Sequence, residues 1–203
     1  MLFCMLNCII KMVINMLVGI IGKSGSGKST LAKRICKLKS NAFHIDIDKV
    51  GQAILKDEEI VKHIVSIVKD STVVENGVLN RKKVGNIIFN DLEKYEEYYK
   101  YTEDIEYAII DKMIENNKNK IIILDWILLD RTKYWDKLDL RILVDTNIEI
   151  RRSRVTKRDN ISEEYFNLRE IMKEDYDKSK MDYVLDGNNI SDEKLEEILK
   201  ELK

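Results

Sequence analysis

The feature that most constrains this chain is the run Gly22-Lys23-Ser24-Gly25-Ser26-Gly27-Lys28-Ser29-Thr30, an unbroken match to the pattern G-x-x-x-x-G-K-[ST]. The apolar stretch Leu17 to Ile21 precedes it and reads as a strand. Leu31-Ala32-Lys33-Arg34-Ile35 follows it and reads as a helix over Thr30 to Leu38. Strand, glycine loop and helix in that order turn a pattern into a physical site. Glycines let backbone amides turn inward around a polyphosphate, and the next helix directs the positive end of its dipole at the same place. In this frame Lys28 reaches the β- and γ-phosphates and the Ser29 hydroxyl ligates Mg²⁺. All nine residues, Gly22 through Thr30, are therefore expected to hold a nucleoside triphosphate.

Charge excludes one class of partner. The chain has 35 basic and 36 acidic residues, a formal net charge of −1. That balance supplies no field for nucleic acid, and none is expected as a partner. At 203 residues there is room for one domain with a sizeable core and an insertion. Cys4, Cys8 and Cys36 make neither a disulfide framework nor a zinc site, which suits a reducing, cytoplasmic compartment. Asn7, Lys11 and Asn15 interrupt the apolar start before it could span a bilayer, so no membrane association is expected. Residues 1 to 15 read as a dispensable extension, with Met12 or Met16 as alternative starts.

Beyond the loop, Ala42 to Ile47 reads as a second strand ending in Asp46-Ile47-Asp48. Alternation along a strand would set Asp46 and Asp48 on one side at its carboxyl end, where open α/β sheets bind ligands. Residues 49 to 116 show helical spacing and no convincing core strand. The approximate span 57 to 116 therefore reads as an inserted, helical, acceptor-binding arm. Within it Tyr95, Tyr98, Tyr99 and Tyr101 read as a packing seam, and Arg81 opens a helix and offers a guanidinium to an anion. Ile121-Ile122-Ile123-Leu124-Asp125 is apolar on both faces, as in a parallel sheet, and Asp125 at its end is placed to assist Mg²⁺. Leu140 to Val144 and Met181 to Leu185 read as the fourth and fifth strands, with a capped amphipathic helix over Ser191 to Leu202. Strands alternating with helices predict an α/β fold, a five-stranded parallel sheet in a three-layer α/β/α phosphate-loop architecture. Arg151, Arg154 and Arg158 recur at helical spacing, so one face of a lid at about 147 to 165 should carry three guanidiniums able to close over a triphosphate.

With these pieces in place, the chain from about Leu17 to Asn189 resembles the dephospho-CoA kinase family. His44-Ile45-Asp46-Ile47-Asp48 is similar to the family's D-x-D motif, which implies Asp48 as catalytic base beside Asp46. Leu79-Asn80-Arg81 with Ile88-Phe89 resembles its "LNR" segment and implies Arg81 at the acceptor or phosphate site. Asp125-Trp126-Ile127-Leu128-Leu129 resembles D-x-P-L-L, with Ile127 in place of the proline. Val144 to Asp159 is similar to the family lid; Arg154 and Arg158 fall on its arginines, Arg151 stands where glutamine is typical, and the family's downstream glutamine appears as Lys173 or is absent. Asp182 to Asn188 resembles the closing A-D-x-V-I-x-N segment. The resemblance implies ATP and Mg²⁺ as cofactors, dephospho-CoA as the small-molecule substrate, and Lys28, Asp48 and Arg154 in catalysis, with monomer and homo-oligomer both open. Two other readings stand at this point: a kinase of the same fold acting on a nucleoside or nucleotide, and a nucleotide-binding regulatory protein.

Overall fold

The computed structural model describes residues 15–171 and 175–202. Nearly all of the N-terminal extension, and Lys173, lie outside them. The chain divides into two compact units: one comprises the described residues up to Ile45 and from Asn116 onward, and the other is Asp46–Glu115.

The first unit is built on a parallel sheet. Its strands are β1 (Met16–Ile21), β2 (Ala42–Asp46), β5 (Ile121–Asp125), β6 (Leu140–Asp145) and β7 (Tyr183–Asp186), in the spatial order β2-β5-β1-β6-β7. Register is set on both sides of β1: Val18 stands opposite Ile123 on β5 and Leu140 on β6. Every residue of β5 is buried, as expected of a strand covered on both faces. Helices α1 (Lys28–Leu38), α6 (Ile148–Asp159), α7 (Glu163–Ile171) and α8 (Asp192–Glu201) also belong to this unit.

Alternation sorts the strand residues between the two faces. Val18, Ile20, Ile121, Ile123, Ile142 and Leu185 join Leu31 and Ile35 of α1 and Leu195 and Ile198 of α8 in one core. On the opposite face, β1 carries Gly19, whose missing side chain admits Leu138 and Leu129; a Cβ there would lie 2.4 Å from Leu138 Cδ1. Each fully buried aliphatic side chain contributes on the order of 1.5–3 kcal/mol, so this core dominates the unit's stability.

The second unit holds α2 (Ile47–Ile54), α3 (Glu58–Val68), a hairpin of β3 (Val74–Glu75) and β4 (Val78–Leu79), α4 (Arg81–Ile88) and α5 (Leu92–Asn116). Its own core joins Ile54, Ile64, Val68, Val73, Leu79, Val84 and Ile88. Tyr95, Tyr98 and Tyr101 pack against that core, as the seam reading expects, and the more exposed Tyr99 packs on Tyr95 with ring centroids 4.4 Å apart.

Two expectations need correction here. The second strand stops at Asp46, whose carboxylate accepts the Lys49 amide at 3.2 Å and caps α2. Asp48 therefore sits in the first turn of a helix, and strand alternation does not relate it to Asp46. The apolar residues Ile45 and Ile47 suit either structure; the capping carboxylate decides for helix. Helix α1 begins at Lys28, two residues earlier than periodicity indicates. Apart from the main sheet, the stretch expected to show no convincing core strand carries the short β3–β4 hairpin, turned by Asn76 and Gly77 at φ 52° and 78°. An Asn-Gly pair at positive φ is the strongest short-range hairpin signal, so the cue was present.

Candidate active site

The glycine loop leaves β1 and enters α1 through two left-handed residues, Gly25 at φ 78° and Gly27 at φ 101°. Gly27 is the N-cap residue, and no side chain caps the helix, so the first-turn amides of α1 are presented to whatever lies in front of them. What lies there is a cavity of about 570 Å³, lined by Gly25, Gly27, Lys28, Ser29, Thr30, Arg34, Arg154, Arg158 and Asn188, among others. Lys28 is buried to 9% exposure. The rest of the loop supports this surface. Ser26 is fully buried and its carbonyl accepts the Thr146 hydroxyl at 2.8 Å. Gly22 must lack a side chain, since a Cβ there would lie 2.5 Å from both Ser26 Oγ and the Val144 carbonyl. The Lys23 side chain instead joins Asp175 at 2.7 Å and lines a neighbouring cleft, leaving its backbone to the loop.

The arginines of α6 divide by role. Arg154 donates to the Gly25 carbonyl at 3.1 Å and to Asn188 Oδ1 at 3.0 Å. Arg158 donates to Ser24 Oγ at 3.2 Å and also pairs with Asp159. Both line the cavity. Arg151 departs from the expected face of three guanidiniums: it is buried, forks onto both oxygens of Glu170 at 2.8 and 2.6 Å, and donates Nε–H to the Thr146 carbonyl. Helical spacing alone could not separate it from the other two, because its partner lies on α7. Close packing of α6 on the loop explains Gly25 a second time, since a Cβ would meet Val155 and the Arg151 carbonyl at 2.8 and 2.9 Å.

At the carboxyl end of β5, Asp125 is 1% exposed. His44 Nε2 lies 3.1 Å from its Oδ2, so the imidazole and the carboxylate share a hydrogen bond. Asp125 Oδ1 is buried and has no hydrogen-bond partner among the described residues. A buried acceptor lacking a donor suits a cation or a cation-bound water, and magnesium takes one or two carboxylates besides phosphates and waters. Asp125 and the Ser29 hydroxyl thus have the hard oxygen donors that Mg²⁺ requires.

The remaining expected site residues belong to the second unit. Asp48 is exposed on the first turn of α2, two residues beyond the end of β2. Asp46 is engaged as the α2 cap and pairs with Lys49 Nζ at 3.2 Å. Arg81 is exposed as the first residue of α4, whose N-cap is Asn80.

Comparison with known proteins decides the family. The family model described as dephospho-CoA kinase matches residues 16–193. The chain belongs to the dephospho-CoA kinase family. A dephospho-CoA kinase from Clostridium tetani is 31% identical over 183 residues, covering 87% of this chain and 80% of that one. Among solved structures, a protein from Thermus thermophilus superposes with a TM-score of 0.75 at 22% identity, covering 93% of this chain and 98% of that one. A dephospho-CoA kinase from Campylobacter jejuni gives 0.53 at 20% identity, covering 92% and 97%. At such identities these two likenesses speak for the fold.

Several residues of the cavity in front of the loop were not among those expected from sequence. Arg34 lines it from α1 and pairs with Asp192. Asn188 orients Arg154, and Gly187 lets the β7 end approach the loop. A Cβ on Gly187 would stand 2.0 Å from the Ser26 carbonyl and 2.3 Å from Thr146 Oγ1. Only the pair Gly187-Asn188, immediately after a strand, hinted at a tight approach there.

Proposed function

We propose that this chain transfers the γ-phosphoryl group of ATP to the 3′-hydroxyl of dephospho-CoA, giving CoA and ADP. The observation that carries the reading is family membership across nearly the whole chain, in a molecule with an open cavity at the helix end of its phosphate loop. In this reading the amides from Gly22 to Thr30 and the Lys28 ammonium hold the triphosphate. Ser29 and Asp125 would hold Mg²⁺, which neutralises phosphate charge when bound. His44 holds one oxygen of the Asp125 carboxylate, which would leave the other available to Mg²⁺. Arg154 and Arg158 supply guanidiniums to the transferring group, and Arg81 to the acceptor's anionic part. Asp48 accepts the hydroxyl proton. Positioning and charge neutralisation do most of the work in such a transfer, and the base adds to them. The free Cys36 and the near-neutral charge suit the cytoplasm.

The test is ADP release by the purified protein with and without dephospho-CoA, with the 3′-phosphorylated product identified. Dephospho-CoA should stimulate release, and Asp48→Asn should slow transfer by about 10²- to 10⁴-fold while leaving ATP affinity intact. Release that ignores dephospho-CoA but responds to a nucleoside or nucleotide would assign a different acceptor.

A further inference from the structure

Within the second unit, α2 and α5 bring two carboxylates to one place. Asp48 and Gly51 stand three residues apart on α2 and so share a face. Glu106 of α5 reaches that face: its Oε1 occupies the space where a Gly51 side chain would begin, 2.7 Å from an ideal Cβ. The absence of a side chain at Gly51 admits the Glu106 carboxyl one helical turn along from Asp48. Other charged and titratable groups crowd the same spot. Glu103 lies one turn back on α5, Arg81 opens α4, and the Tyr98 hydroxyl feels both Arg81 and Glu106. Burial, followed by the negative charges of Glu103 and Asp48, pushes Glu106 up to about 7, with Arg81 opposing.

We propose that Glu106 is a positioning residue for phosphoryl transfer, a second carboxylate whose charge sets the proton affinity of Asp48. This rests on the reading of Asp48 as the base. In the transfer, the acceptor O–H bond breaks and its proton goes to the Asp48 carboxylate. The oxygen's electron pair forms the new O–P bond, and ADP departs with the pair of the P–O bond that breaks. When Glu106 is neutral, its charge no longer acts on Asp48, and Asp48 is the weaker base. When Glu106 is ionised, like charge makes Asp48 hold a proton more tightly and raises its strength as a base. Because the two interact, the titration belongs to the pair.

The experiment is the pH profile of kcat at saturating ATP and dephospho-CoA, from about pH 5.5 to 9. For the wild type, kcat should rise with pH through a limb centred near 7, where Glu106 ionises. Glu106→Gln keeps the shape and removes the charge. It should lose that limb and lower the plateau about threefold to tenfold, with KM for ATP unchanged. Gly51→Ala alters no charge but displaces the carboxyl, and should weaken the limb. Carboxyl-carbon NMR of Glu106 gives a readout independent of turnover: its midpoint should fall in Asp48→Asn. An active Glu106→Gln enzyme with the wild-type limb, or a Glu106 titration unmoved by Asp48→Asn, would overturn the proposal. A wild type that makes no CoA would instead overturn the proposed function, and the proposal with it.

Discussion

Replacing Gly187 by alanine tests whether the phosphate loop is shaped from outside its own sequence. The added Cβ would stand 2.0 Å from the Ser26 carbonyl, 2.3 Å from Thr146 Oγ1 and 2.8 Å from Val144 Cγ1. Carbon–oxygen contacts settle near roughly 3.3 Å, so the Ser26 carbonyl would have to retreat by about 1.3 Å. Two of the three obstacles are poorly placed to yield: one is backbone, and the other is the hydroxyl that holds that backbone at 2.8 Å. Overpacking of this kind costs about 1–3 kcal/mol, and loss of the Thr146 hydrogen bond adds about 1. The sum, about 2–4 kcal/mol, corresponds to a fall in Tm of about 5–15 °C for a chain of this size. Part of the displacement reaches the amides beside Ser26, and each 1.4 kcal/mol expressed in binding weakens ATP about tenfold. Thermal unfolding and titration calorimetry with ATP measure the two effects on the same protein. Gly85→Ala is the control: its nearest neighbour would be 3.5 Å away in the middle of α4, so it should be neutral or gain about 0.5–1 kcal/mol. A Gly187→Ala protein that melts and binds ATP like the wild type would refute the reasoning.

Arg151→Met should destabilise by about 3 kcal/mol, the lower end for a broken buried pair, because Glu170 keeps Lys23 at 3.9 Å. The double variant Arg151→Met with Glu170→Met should recover most of that loss in urea unfolding, and a double variant as unstable as the single would contradict it. Glu106 also predicts a pH dependence of stability. Its native value of about 7 lies above the ordinary 4.5, so between the two the native state binds more protons than the unfolded chain. The stability present below about pH 4.5 is therefore lost progressively toward pH 7, by at most about 3 kcal/mol and by about half that once solvent screening is allowed for. Glu106→Gln should flatten this slope in denaturant titrations across that range.

The glycine loop was legible in sequence because its determinants are local. Gly22 to Thr30 carries, within a few consecutive residues, the glycines that its left-handed dihedrals need, though not the exact start of the helix that follows. The run Ile121 to Asp125 likewise declares a strand buried on both faces, and its last residue carries a carboxylate to the sheet's edge. Asp46 and Asp48 were harder. Apolar alternation cannot tell the last turn of a strand from the first turn of a helix, and only the cap to the Lys49 amide places the boundary. The sequence by itself determined the phosphate loop, the strand order along the chain, and the family resemblance. The tertiary structure alone decided that Arg151 is held by Glu170 while Arg154 and Arg158 line the cavity, that Gly187 and Thr146 shape the loop, and that Gly51 makes room for Glu106. In each case the deciding partner comes from another element, where side-chain periodicity carries no information about what a residue will meet.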